Sequence, residues 1–318
     1  MEFRHEPILK NEIIELLNIK ADGNYLDCTI GGAGHSSAII SHLKNGHLFG
    51  VDKDEDALCA SRERLKNYSN FTLIHDDFKN IKEIFEKNNL PDMDGVLIDL
   101  GVSSYQIDNP ERGFSFLRDG PLDMRMNQEQ SFSAFDVVNS YPYEKLVKIF
   151  FQYGEEQNAK TIARKIVEER TKQPITTTKQ LNDIIESALP KKLVYKSGGC
   201  AKKVFQAIRI EVNGELTGLE DTLHFLIDHL KPDGVICVLS FHSLEDRIVK
   251  NVFRLEATDC ICPPKTPICI CGHKKKVELI TKKPIVASQE EQQKNTRSTC
   301  AKLRVARRLK TSGARHCF

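Results

Sequence analysis

No apolar run in this sequence reaches the length of a signal-peptide core or a membrane span, so the reading is a cytosolic protein away from membranes. Ten cysteines without a secretion signal then imply reduced thiols rather than a disulfide framework. The dinucleotide fingerprint lacks its third glycine: Gly32 and Gly34 supply the first two, and Ser37 stands where the third belongs. The phosphate-binding lysine of a P-loop is missing too. Net charge is small, +2, but unevenly spread. Residues 274–318 carry 13 Lys and Arg against three Asp and Glu, on a body that is otherwise acidic. A basic segment on an acidic body suggests a polyanionic partner.

What is there is organised around Tyr25-Leu26-Asp27-Cys28-Thr29-Ile30-Gly31-Gly32-Ala33-Gly34-His35. It reads as a short buried strand, a glycine turn and the start of a helix near His35 to Ser37. Glycines let a ligand approach the backbone closely, and a helix N-terminus offers unpaired N–H groups. A second strand, Gly46 to Val51, ends in Asp52, well placed to hold the two hydroxyls of a ribose. An acid closing the first strand before a loose glycine cluster looks like the S-adenosylmethionine loop of class I methyltransferases.

Along the chain, Ile8 to Leu17 has helical apolar spacing. Strands Phe71 to Ile74 and Met93 to Leu100 follow, alternating with helices, which predicts a parallel, doubly wound sheet. Asp27, Asp52, Asp77 and Asp99 all fall at carboxyl ends of strands, the ligand edge of such sheets, in a number packing alone does not ask for. From Gly101 to Met126 the pattern is a long loop, with Met124 and Met126 read as core. From Phe132 to about Phe205 it is helical, with a capping box at Thr177 to Gln180. The expected parts are a Rossmann-like sheet domain begun by 1–105, an inserted loop and helical substrate domain 106–204, and the sheet domain resumed over 205–318 with a basic tail. Leu230 to Gly234 reads as a turn into the strand Val235 to Leu239, and Val277 to Ile280 and Ala301 to Val305 as final strands.

Two catalytic candidates stand out. Asp99 can accept the N–H of an amine on a base and turn its lone pair toward a methyl donor. His242, after the fifth strand with Glu245 and Asp246, could take a proton or contact a phosphate. Asp123 and Arg125 lie in the loop leading out of the site. Lys202, Lys203, Arg307 and Arg308 are candidate grips on RNA phosphates. Cys260, Cys262, Cys269 and Cys271 form two C-x-C pairs, a spacing tight for a zinc knuckle, so no metal is expected.

Laid out in order, these blocks resemble the RsmH (MraW) family of bacterial small-subunit ribosomal RNA methyltransferases. The resemblance runs through His5-Glu6-Pro7-Ile8-Leu9, the glycine loop, Asp99 to Ser104, Gln106, Glu111 to Phe116 and Gly120 to Met126. It continues through Phe205 to Ile210, which contains Arg209, Ser240 to Arg247 and Ala301 to Val305. It implies a class I methyltransferase fold with an inserted helical domain. It also implies N4-methylation of a cytidine in the decoding region of 16S ribosomal RNA, within the small subunit, using S-adenosylmethionine. Cofactor contacts carry over to Ala33, Gly34, His35, Asp52, Phe78, Asp99 and Gln106; Arg209, with Asp123 and Arg125, is a substrate candidate. The sequence departs from the pattern at Ala33, where the family often has Gly, and at Cys200-Ala201-Lys202-Lys203, where a His-Pro-Ala-Thr-Arg-like stretch is typical. No Asp-Pro-Pro-Tyr signature follows the fourth strand, which argues against DNA. Methylation of another RNA base and nicotinamide-dependent oxidoreduction are the competing readings.

Overall fold

The computed structural model describes residues 7–190, 200–263, 266 and 268–310. His5 and Glu6 of the amino-terminal block, and residues 311–318 of the basic tail, lie outside the described residues. The chain divides into two compact units, residues 1–101 with 217–318, and residues 102–216.

The first unit is built on a seven-stranded sheet. Helix α1 (Lys10–Leu17) precedes β1 (Asn24–Asp27). Then come α2 (Gly34–Ile40), β2 (His47–Asp52), α3 (Glu55–Leu65), β3 (Phe71–His75), α4 (Ile81–Asn88) and β4 (Met93–Asp99). After the second unit, the helix Leu219–Asp228 leads to β5 (Leu230–Ser240). The helix Ser243–Glu256, β6 (Val277–Leu279) and β7 (Lys302–Arg308) follow. The strand order is β3-β2-β1-β4-β5-β7-β6. The first five are parallel, and β7 runs antiparallel between β5 and β6. The expected class I methyltransferase sheet is the one observed. Its direction of winding reverses between β1 and β4, and that reversal opens the crevice in which such sheets bind ligands.

The strands form where the sequence offers apolar residues to both faces. In β4, Val96 and Ile98 join one buried cluster with Leu223, Ile236 and Phe253, while Leu97 joins another with Tyr25, Leu48 and Leu303. Side chains alternate across a strand, so a continuous apolar run is what a strand covered on both faces requires. The expected turn at Leu230 to Gly234 is instead the first part of β5. Its pairing with β4 jumps from Met93↔Leu230 to Gly95↔Val235 and accommodates Asp233 at φ 64°. The turn residues thus make an irregularity inside the strand rather than an end to it.

The second unit is mostly helical. It opens with a short helix, α5 (Ser104–Asp108), within the segment expected to be loop. It continues through α6 (Ala134–Ser140), α7 (Tyr143–Gln152), α8 (Ala159–Arg170), α9 (Thr178–Ser187) and the helix Cys200–Asn213. The Thr177 capping box forms as read: Gln180 N donates to Thr177 Oγ1 (3.2 Å), and Thr177 N donates to Gln180 Oε1 (3.2 Å). Cys200, Ala201, Val204, Phe205 and Ile208 are buried on one face of the last helix, against Leu146, Phe150, Ile162 and Leu181. This helix belongs whole to the second unit, past the expected return of the sheet domain at 205. Met124 and Met126 are buried, as read.

Candidate functional site

Three strand ends of the first unit gather carboxyl groups. β1 delivers Asp27 and β4, its neighbour across the crevice, delivers Asp99. β2, on the other side of β1, delivers Asp52. β4 runs two residues past its last pairing with β1, which sets Asp99 beyond the edge. Its backbone N–H donates to Thr29 Oγ1 at 2.7 Å, so the glycine turn fastens the end of β4.

The turn is held by these acids. Asp27 is buried and accepts from Ser36 Oγ (2.7 Å) and Thr29 N (3.1 Å). Asp52 accepts from Gly31 N (2.8 Å) through one oxygen and Asp54 N (3.0 Å) through the other. Gly31 sits at φ 53°, where a glycine adopts the left-handed conformation without strain. Ala33 is also left-handed, at φ 55°, and caps α2 with its methyl group buried. The residue departs from glycine, but the backbone keeps the shape glycine would give it. α2 begins at Gly34, one residue before the expected start.

Asp99 is the least satisfied of the three. Its Oδ1 is buried without a hydrogen-bond partner, and Oδ2 stands 3.6 Å from His35 Nε2. Desolvation, with repulsion from Asp27 and Glu245, pushes its carboxyl up to about 8. Burial, together with the charge of Lys10, takes His35 down to about 4. Neither ring nitrogen of His35 has a hydrogen-bond partner. Burial also raises Asp27 and Asp52 to about 6 each. The edge therefore holds three carboxyl groups whose ionisation their surroundings disfavour, beside a neutral imidazole. A positively charged group there would reverse the penalty. Asp52 keeps a second lone pair on each oxygen for vicinal hydroxyls. These donors and acceptors fit a cationic nucleoside ligand.

Asp77 does not belong to this set. It caps the short turn Phe78–Asn80 and pairs with Lys53 and Lys79, both at 3.2 Å. Burial works against its charge, but the two ammonium groups outweigh it and hold the carboxyl low. Packing and pairing account for this strand-end acid after all. Phe78 is half-buried in the same turn, against the core beneath the sheet.

His242 is the N-cap of the helix Ser243–Glu256, and its Nδ1 accepts from Glu245 N at 3.4 Å. Its Nε2 lies 3.1 Å from Glu245 Oε1 but is not aligned for a hydrogen bond. Buried Glu245 accepts from Phe241 N at 2.8 Å. Asp246 is taken by Arg304 Nε at 2.6 Å. Arg307 and Arg308 lie on β7 rather than in a free tail. Arg307 Nε donates to Glu278 (2.6 Å), and Arg308 reaches Asp228 (3.4 Å).

The remaining candidates belong to the second unit. Gln106 is buried and completes a capping box with Ser103, accepting from Ser103 N at 3.1 Å. Arg125 grips Asp123 with two parallel bonds (2.9 and 2.7 Å) and donates to Gln130 O (2.7 Å). Arg209 grips Glu215 in the same way, at 2.8 Å twice. Lys202 is exposed, and Lys203 donates to Glu155 O at 3.2 Å. The sequence reading missed the residues that shape this loop. Buried Arg112 donates to the carbonyls of Arg125 and Met126, both at 3.0 Å. Asn213 accepts from Met126 N (2.8 Å) and donates to Met124 O (2.7 Å). An arginine in a turn-rich stretch reads as surface charge, and only its burial marks it as structural.

The four cysteines of the two C-x-C pairs are brought together. Cys260, Cys262, Cys269 and Cys271 hold their Sγ atoms within 4.8 Å of one another.

A family model described as the MraW methylase family matches residues 2–309 of this chain. A protein named "Ribosomal RNA small subunit methyltransferase H" from Clostridium botulinum, strain Loch Maree, is 51% identical over 310 residues. The alignment covers 97% of this chain and 100% of that protein. Proteins of the same name from Clostridioides difficile and Finegoldia magna are 51% and 50% identical over 311 residues, again covering 97% of this chain and 100% of theirs.

Proposed function

The chain belongs to the MraW methylase family, and on that premise we propose that it transfers the methyl group of S-adenosylmethionine to N4 of a cytidine in the decoding region of 16S ribosomal RNA. The observation that carries the reading is Asp99: a strand-end carboxyl at the crevice with one oxygen unpartnered and ionisation disfavoured. The cofactor supplies a methyl carbon on a positively charged sulfur. The protein's residues supply position and charge. Asp52 accepts from the ribose hydroxyls, and the backbone of Ala33, Gly34 and His35 bounds the cofactor on the turn side. Phe78 offers an apolar face to the adenine.

Asp99 has two tasks. Ionised, it balances the cationic cofactor. It also accepts a hydrogen bond from the exocyclic amine, whose lone pair is otherwise delocalised into the ring. Holding that N–H fixes the lone pair toward the methyl carbon, and well-aligned positioning of this kind lowers barriers by about 7 kcal/mol or more. His242 and Glu245 hold the start of their helix, and the charge of Glu245 adds to burial and the charge of Asp27 in raising the affinity of the Asp99 carboxyl for a proton.

A base inside folded RNA must leave its stack to reach such an edge, which requires a grip on the flanking phosphates. We assign that grip to Lys202 and Lys203, with Arg307 and Arg308 as a second basic strip. Asp123, Arg125 and Arg209 are engaged in internal pairs and serve to shape the segments that meet the RNA. The parts expected from the sequence, a cofactor domain and a helical substrate domain, keep those roles in this proposal.

Methyl transfer from labelled cofactor to assembled small subunits and to a short free oligonucleotide tests the reading. Subunits should be labelled far more efficiently. Equal labelling of the oligonucleotide would overturn recognition of ribosomal shape.

A further inference from the structure

The loop after the helix Ser243–Glu256 carries four cysteines that the methyl-transfer reading does not use. Cys260 and Cys262 lie on its outgoing limb, and Cys269 and Cys271 on its return. The limbs close at the base, where Lys276 N donates to Glu256 O at 2.7 Å and His273 Nε2 meets Leu255 O at 3.0 Å. Little apolar packing holds what lies beyond. Ile261, Ile268 and Ile270 are 50%, 77% and 85% exposed.

The sulfurs converge all the same. Cys260 Sγ lies 3.5 Å from Cys269 Sγ and 3.8 Å from Cys271 Sγ. Cys269 Sγ lies 3.9 Å from Cys262 Sγ and 3.5 Å from Cys271 Sγ. These are free thiols, and the separations are far beyond the roughly 2.05 Å of a disulfide. They match something else. Four sulfurs held tetrahedrally at about 2.3 Å from a zinc ion stand about 3.8 Å apart. The tight C-x-C spacing opposes a knuckle made by one pair alone. It poses no obstacle when two pairs face each other across a loop and each limb gives two ligands.

The surroundings suit thiolates. Cys262 N–H points at Cys260 Sγ (3.4 Å). Such a donor stabilises sulfur-borne charge. His273 is engaged with the Leu255 carbonyl, and Asp259 with Lys275 (3.2 Å), which leaves an all-sulfur ligand set. Lys275 is taken by Asp259 and Lys276 by Asp228 at 2.7 Å, so of the lysine run that follows it is Lys274 that can offset the net negative charge of a zinc tetrathiolate.

We propose that Cys260, Cys262, Cys269 and Cys271 form a tetrathiolate site for a thiophilic divalent cation, zinc, which fixes this loop on the sheet unit. Binding forms four metal–sulfur bonds and releases up to four thiol protons, with no change of oxidation state. The site stands apart from the methyl-transfer edge and does not depend on the reaction assigned to it.

The test uses the full chain, purified under reducing conditions without chelator. Elemental analysis should find one zinc per chain. After the metal is stripped, titration with cobalt(II) alone should give thiolate-to-cobalt charge-transfer absorption and tetrahedral bands that saturate at one equivalent. Hydrogen exchange across residues 257–276 should slow when zinc is restored. Cys260→Ser with Cys269→Ser should abolish uptake, whereas Cys59→Ser, at an exposed cysteine elsewhere, should retain it. Failure of the reduced wild-type chain to take up zinc or cobalt would overturn the proposal. So would undiminished uptake by the double variant, or isolation of the four cysteines as disulfides. Should the double variant fail to fold, the cobalt spectrum of the wild-type chain decides, since weak octahedral bands would exclude four sulfur ligands.

Discussion

Asp94 and Asp99 stand at opposite ends of the same strand and are held in opposite states. Asp94 accepts from Lys20 Nζ (3.0 Å), Lys231 Nζ (2.7 Å) and Asn24 N (3.0 Å). Burial opposes its charge, but these donors keep its carboxyl below the ordinary range. Asp99 has neutral His35 at 3.6 Å and two other acids for company, and its carboxyl rises to about 8. One end of β4 is finished by the protein itself. The other is prepared for a cation that a ligand brings.

A proton linkage follows for the cofactor. Below about pH 8 the ligand-free Asp99 is largely protonated, and a cationic ligand prefers it ionised. Binding should therefore release a proton, and affinity should rise with pH up to about 8 and then level off. Calorimetry in buffers of different ionisation enthalpy reads the proton directly, and Asp99→Asn should remove it. Stability has its own sign. The folded carboxyl binds its proton more tightly than the unfolded one, so wild type should lose stability relative to Asp99→Asn as pH rises from about 4 to about 8.

Turnover is expected to depend on Asp99 more than binding does. Asp99→Ala should lower single-turnover rates at saturating cofactor by about 100-fold or more, because the amine contact matters most in the transition state. Rates matching wild type at saturation would make Asp99 a purely structural residue.

The ribose acceptor is tested by Asp52→Ala, which should weaken S-adenosylmethionine binding by about 1.5–3 kcal/mol, the worth of hydrogen bonds to a charged group. Asp52 also holds Gly31 N, so Asp52→Asn, which keeps one acceptor oxygen, should lose less. NAD should not bind either protein.

Much of this was legible in the sequence. The sheet was, because β1 to β4 are written as apolar stretches with an acid at or just past their ends and helical spacing between them. The helix Thr178–Ser187 was, through a capping box and a one-faced apolar pattern, whereas the helix Cys200–Asn213 was cut by the domain boundary expected at 205. The roles of individual acids were not. Asp77 and Asp99 occupy equivalent sequence positions, and only the lysines beside Asp77 separate them. Lys79 lies two residues beyond Asp77, but Lys53 comes from a different segment, which spacing along the chain does not bring to it. Arg112 and Asn213 were hidden for the same reason, since their carbonyl and amide partners are fixed by tertiary packing. The cysteine loop was read from within-pair spacing alone, which says nothing about pairs meeting across a loop.

The RNA grip is expected to show in salt dependence. Lys202→Glu with Lys203→Glu should weaken binding to small subunits and reduce the slope of log affinity against log salt by about 0.7–0.9 for each phosphate no longer neutralised. Arg307→Glu with Arg308→Glu should act in the same direction. Their exposed pairs with Glu278 and Asp228 contribute about 1 kcal/mol or less each, so the fold should survive. Cofactor affinity should be unchanged in both double variants.

The central claim, methylation at N4 of one cytidine in the decoding region, is tested most directly by nucleoside mass spectrometry of 16S ribosomal RNA from cells with and without this protein. A single N4-methylated cytidine in that region should be present with the protein, absent without it, and not restored by Asp99→Ala. An unchanged cytidine, or a methyl group found on adenine instead, would contradict the claim.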